Sequence, residues 1–128
     1  MNEQRLSEEI EKLLVAHNPR HMEVARAALR PGYYLRAARH LRDIRGTVII
    51  GTGFPVSGTF ETDGPVGAMA LYRALAVLGA LPVIACDAPL SYALPPDYRV
   101  LELRARDLAA ARIEAATQLH ALQPQAIV

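Results

Sequence analysis

The sequence predicts an α/β fold, a helical N-terminal segment followed by a parallel sheet with flanking helices, and three observations predict it. A β-branched run, Thr47-Val48-Ile49-Ile50, gives way to a glycine-rich connection and then to an apolar helical pattern opening at Pro65. A second apolar run, Pro82-Val83-Ile84-Ala85-Cys86, follows that helix, so the order is strand, loop, helix, strand, as a parallel crossover requires. Hydrophobic residues make up 52% of the chain, mostly Ala, Leu, Val and Ile, with 5% aromatics and no Trp, which suits helices on a sheet better than a sandwich. At 128 residues the expectation is a single domain that buries a core without staples.

Residues 1–45 read as a helical lead-in and residues 46–128 as the β-loop-α-β core. Leu6, Ile10, Leu13 and Leu14 recur at helical spacing among acidic residues and Lys12, giving an amphipathic helix that fades near His17. Asn18 is a good N-cap with Pro19 at the first helical position, so a second helix is expected over 20–29, stopped by Pro31-Gly32. A third, over 34–42, sets Leu35, Ala38 and Leu41 on one face. In the core, 67–78 is apolar nearly all round, as for a helix buried between the sheet and another layer, and Gly79 fits its C-terminal cap. Prolines at 89, 95 and 96 mark 88–97 as a loop, and 98–103 alternates as a half-exposed strand. Asp107 is positioned to cap a helix to about residue 122, with Leu108, Ala111, Ile113, Ala115 and Leu119 supplying apolar contacts. Ala126-Ile127-Val128 reads as the start of another strand, so the chain is expected to be the N-terminal part of a longer domain.

Charge and composition remove several classes of function. With 14 Lys and Arg against 13 Asp and Glu, no global field draws the chain to nucleic acid or an acidic membrane, and the arginines between Arg20 and Arg45 read as a solvated helix face. The acidic N-terminus matches neither a secretory signal nor a mitochondrial presequence, and Gly79 and Pro82 interrupt the longest apolar run, so a cytoplasmic protein is expected. The single cysteine, Cys86, lies in an apolar run and reads as a small buried residue. His17 and His21 have metal-pair spacing, but Asn18-Pro19 between them breaks the helix that would align them; His40 and His120 have no ligand partners nearby in sequence.

The stretch 51–68 carries the candidate chemistry. It joins strand to helix, holds glycines at 51, 53, 58, 64 and 67, and brings Glu61 and Asp63 to a helix entrance. Gly64-Pro65-Val66-Gly67 stands where a P-loop needs Gly-Lys-Ser/Thr, the dinucleotide fingerprint is met only at Gly51 and Gly53, and Ser57 lacks the context of a serine nucleophile. What remains is a carboxylate pair, two residues apart, beside backbone donors at a helix start. Such a pair suits proton exchange, binding of a divalent cation, or capping of the helix. Asp87, at the carboxyl end of the second strand, joins the same sheet edge.

Thr52-Gly53-Phe54-Pro55 followed by Glu61-Thr62-Asp63-Gly64-Pro65-Val66-Gly67-Ala68 resembles the D-glutamate cyclase family, and the resemblance extends over nearly the whole chain, including the preceding strand and the following helix. It implies a Rossmann-like α/β fold and a hydro-lyase activity, the reversible conversion of D-glutamate to 5-oxo-D-proline and water. If that activity carries over, the matched positions Glu61 and Asp63 are assigned as proton-shuttling or metal-binding groups and Gly53, Phe54, Thr62, Gly64 and Gly67 as substrate-binding residues. Asp87, outside the matched motif, is assigned to the ammonium group from its place on the same sheet edge. Family members are longer and continue past a strand like Ala126-Ile127-Val128 into a Glu-Arg-Pro-Gly motif that this sequence does not contain. Two other readings stay open: a non-catalytic ligand-binding or assembly module whose sheet a second copy completes, and a nucleotide-binding domain using Gly51, Gly53 and Asp87.

Overall fold

The computed structural model describes residues 2–17 and 20–128, so the expected cap at Asn18-Pro19 lies outside the described residues. The chain divides into two compact units, residues 1–43 and 44–128.

The first unit is helical: α1 (Glu3–Val15), α2 (Met22–Ala28) and α3 (Tyr33–Arg42). Its packing differs from the apolar stripe that the periodicity suggests. Leu6, Ile10, Leu13 and Leu14 are exposed, while the buried residues of α1 are Ser7 and Glu11, the latter only 1% accessible. The reason is the start of α3. Gly32 precedes that helix at φ +83°, and its cap lacks a side-chain bond of its own. Glu11 supplies the acceptor, taking the Gly32 N–H at 3.1 Å and the Tyr34 N–H at 3.2 Å, while Ser7 Oγ takes the Leu35 N–H at 3.0 Å and donates to Glu11 at 2.7 Å. Helix N-termini leave such donors unsatisfied, so a carboxylate from a neighbouring helix is buried in preference to leucine.

The second unit is an α/β domain built on a four-stranded parallel sheet, with strands β1 (Thr47–Gly51), β4 (Leu81–Cys86), β5 (Val100–Glu102) and β6 (Ala126–Ile127). Between β1 and β4 come a small antiparallel pair, β2 (Pro55–Val56) and β3 (Thr59–Phe60), and helix α4 (Asp63–Val77); α5 (Leu90–Ala93) and α6 (Leu108–Leu122) precede β5 and β6. The sheet order is β5-β4-β1-β6. The chain therefore builds outward from β1 through β4 to β5, then returns to the other side of β1. That reversal between β1 and β6 is the topological switch point at which open α/β sheets take ligands.

Strands β1 and β4 are buried apolar runs in continuous register, Thr47 opposite Leu81 through Gly51 opposite Ala85. One face of the sheet packs Ile84 and Cys86 with Leu90 and Tyr98, joined by Met69 and Tyr72 of α4; the other packs Ile49, Val83 and Ala85 with Leu101 and Leu122. Helix α4 closes in a Schellman arrangement, the Ala80 N–H bonding Leu75 O and the Gly79 N–H bonding Ala76 O, both at 3.0 Å, with Gly79 at φ +92°. Gln125 docks the last strand by accepting the Gly46 N–H at 3.0 Å and donating its own backbone N–H to Thr47 O at 2.8 Å.

Five expectations need correcting. Helix α4 is buried only along Pro65, Ala68 and Leu75, because a single face meets the sheet, and Val66 and Val77 are exposed. In α6, Leu108 and Ile113 face solvent. The expected loop 88–97 contains α5, and the strand expected over 98–103 shortens to 100–102 because Tyr98 turns into the core. The stretch 51–68 is not open loop: Ser57 at φ +47° and Gly58 at φ +82° form a turn with two left-handed residues, the kind that closes a tight hairpin, between β2 and β3.

Candidate functional site

At the carboxyl ends of the strands an apolar cleft of about 720 Å³ opens between the sheet and α6. Its floor is Ile49, Ala85 and Leu101, the loop after β1 closes one end with Thr52, Gly53 and Phe54, and Asp87 stands where β4 ends. The far wall is one face of α6, on which Ala111, Glu114, Ala115 and Gln118 repeat at helical spacing. Alanine at 111 and 115 is what leaves the space, since larger side chains there would close it against the sheet. The wall is fixed at its start: Asp107 caps α6 by accepting the Ala110 N–H at 2.8 Å, and the Glu114 carboxylate accepts the Arg104 and Ala105 N–H groups at 3.0 and 3.1 Å.

The loop geometry follows from its glycines. Gly53 is buried at φ +91°, and a Cβ there would stand 2.5 Å from Leu90 Cδ2. A side chain there is strained by the backbone conformation and has to displace Leu90. Gly64 approaches the same loop, since a Cβ on it would lie 3.1 Å from Thr52 Oγ1. The start of α4 is thus brought beside Thr52. Within the loop, the Glu61 N–H bonds Phe54 O at 3.1 Å, which ties the two ends of the β2–β3 hairpin together.

Residues 10–125 match the sequence profile of the family described as D-glutamate cyclase-like, C-terminal. The chain belongs to that family. No curated protein matches it, and no solved structure does.

The family's two-part motif is divided in space. Thr52, Gly53 and Phe54 from its first half line the cleft together with Asp87, while Glu61, Thr62, Asp63, Gly64 and Gly67 from its second half lie outside the lining. Glu61 is half-buried at the hairpin base; Thr62 and Asp63 are exposed at the α4 entrance, where the first residue is Asp63. Asp63 Oδ1 accepts the Gly64 N–H at 3.1 Å, and the Thr62 side chain makes no cap bond. Gly67 is exposed and sits beyond the first four N–H groups of α4, so its own N–H serves the helix. The Gly51 and Thr52 N–H groups are likewise used, bonding Val128 O at 2.8 Å and Ala85 O at 3.1 Å. Phe54 is 76% exposed at the rim.

Electrostatically the cleft is acidic. Among its described lining residues the charged ones are Asp87 and Glu114, with no Lys or Arg. Burial pushes the Cys86 thiol up to about 11, with the charges of Asp87 and Glu102 adding to it, so the thiol stays protonated at neutral pH. Beside the cleft, Glu102 accepts from Arg104 Nε at 2.9 Å and Ser91 Oγ at 3.2 Å; the Arg104 bond leads in holding its carboxyl below the usual range against the opposing effect of burial. No cluster of three or more His, Cys, Asp and Glu suited to a metal ion is found among the described residues, nor any helix long and apolar enough to cross a membrane.

Sequence reasoning missed the α6 wall. Its signal is a helix in which Ala111, Ala115 and Gln118 share a face at spacings of four and three, small and polar where a packed helix carries leucine.

Proposed function

We propose that this chain carries the D-glutamate cyclase reaction, reversible closure of D-glutamate to 5-oxo-D-proline with release of water, at the carboxyl edge of the sheet. The observation that carries this reading is the meeting of Thr52-Gly53-Phe54, half of the family motif, with Asp87 around one cleft beside the β1/β6 switch point. In the reaction the α-amino nitrogen attacks the side-chain carboxyl carbon, so the amine must lose a proton and one carboxyl oxygen must leave as water. Asp87 holds the ammonium group and takes its proton, a task suited to an acidic cleft. Glu61 and Asp63 stand outside the cleft lining, at the hairpin base and the helix entrance that Gly64 brings beside Thr52, and from that end they act on the departing oxygen. The backbone at Gly53 takes the developing oxyanion, and the positive end of α4, which Gly64 brings beside Thr52, favours the substrate carboxylate.

Incubation with D-glutamate or 5-oxo-D-proline, followed by chiral chromatography, tests this. Interconversion by the wild type, reduced on the order of a hundredfold or more in Asp87→Asn or Glu61→Gln with unchanged unfolding midpoints, is the expected result. Absence of interconversion sinks the reading.

The switch-point geometry, with an acid ending the strand next to β1, also favours a second reading as a nucleotide-binding domain. Thermal unfolding separates the two: a midpoint raised by 5-oxo-D-proline supports the cyclase, and one raised by NAD or ATP alone supports the nucleotide.

A further inference from the structure

The cleft has far more room than glutamate needs, and away from the glycine loop its lining offers nothing to a second carboxylate. At about 720 Å³ it falls in the range that accommodates drug-sized ligands, and its surface is largely aliphatic, from Ile49, Leu101, Leu103, Ala111 and Ala115. A side-chain carboxylate gains nothing from that lining, which offers two acids and no cation. Asp87 and the apolar face of α6 line the same cleft, so a molecule that presents its amine to Asp87 has the α6 wall open to a further apolar group.

Resting on the ring-closure reading above, we propose that the preferred substrate is a γ-glutamyl amide whose amine carries an apolar group, and that the cleft under α6 receives that group. The chemistry needs no added reactant. The α-amino nitrogen forms its bond to the γ-carbonyl carbon, the bond from that carbon to the amide nitrogen breaks, and the departing nitrogen takes up the proton that the α-nitrogen gives up. The products are 5-oxoproline and a free amine. Asp87, facing the α-nitrogen, is the group that relays the proton, and the lactam product carries one carboxylate fewer than glutamate. The alanines at 111 and 115 set the size of amine accepted, with Phe54 at the rim.

Two amides with the same reacting bond isolate the effect of the cleft. The wild-type chain is assayed with γ-D-glutamyl benzylamide, γ-D-glutamyl methylamide and free D-glutamate, measuring 5-oxoproline and released amine. The benzylamide is expected to exceed the methylamide in kcat/KM by about tenfold or more, as one filled apolar pocket allows. Ala115→Phe, which occupies the cleft, is expected to bring that ratio close to unity, with thermal unfolding reporting the fold; should it not fold, Ala111→Leu is read in its place. Equal turnover of the two amides, or a ratio unchanged in a folded variant, overturns the proposal. Turnover of D-glutamate alone overturns it while leaving the cyclase reading in place, and turnover of none of the three removes both.

Discussion

Gly53 and Gly67 belong to one motif, yet the structure gives them opposite physical roles. At Gly53 the backbone is left-handed and Leu90 fills the place of a side chain, so Gly53→Ala is expected to cost about 1–3 kcal/mol of stability. Gly67 lies inside α4 with nothing within 4 Å of an added Cβ, so Gly67→Ala is expected to gain roughly 0.5–1 kcal/mol from helix propensity. Urea unfolding of the two variants should move the midpoint in opposite directions; shifts of the same sign would contradict the geometry. Cys86 offers a second residue-scale check. Its thiol, 1% accessible and pushed up to about 11, should react far more slowly with Ellman's reagent at pH 8 in the folded chain than in urea. Equal rates would mean that the core around β4 is open. Cys86 also illustrates what a sequence conveys directly, because a cysteine in an unbroken apolar run is read as buried from its neighbours alone.

At the scale of elements, α1 and α3 are joined through polar groups. Burial raises the Glu11 carboxyl, but the bonds from Ser7, Gly32 and Tyr34 and the charge of Arg26 outweigh it, so Glu11 titrates below the ordinary value of 4.5. A depressed carboxyl contributes stability that is full above the unfolded value and is lost as pH falls through the lower folded one. Helical circular dichroism should therefore fall on acidification below about pH 4.5, and Glu11→Ala should lower helicity at neutral pH and flatten that acid transition. An unchanged titration in the variant would mean that Glu11 does not cap α3. This element was only partly legible in advance. Counting apolar residues finds the helix over Leu6, Ile10, Leu13 and Leu14, but it assigns the buried face to them, and no periodicity shows that a carboxylate in the third turn is wanted by another helix. The β2–β3 hairpin was hidden for a different reason: each strand has two residues, too few for alternation, and only the Ser57-Gly58 pair marks the turn.

For the α/β unit as a whole, what was readable is what local pattern determines. Parallel strands covered on both faces must be apolar runs, so β1 and β4 stand out, and the glycine loop after β1 falls on the carboxyl edge by topology. The candidate site was legible only to the extent that Gly53, Phe54 and Asp87, which line one cleft, could be placed on one edge. The order β5-β4-β1-β6 and the α6 wall were not, because the return of the chain across the sheet joins residues far apart in sequence, such as Ile49 and Ile127 or Ala85 and Leu101. The D-glutamate chemistry proposed above belongs to this edge, beside the switch point. Titration of the isotope-labelled chain with 5-oxo-D-proline, followed by amide chemical shifts, tests it most directly. Saturable shifts centred on Thr52, Gly53, Phe54, Gly64 and Asp87 are predicted; shifts confined to the opposite edge, around Gly46, Leu81 and Gln125, or no saturable shift at all, would contradict it.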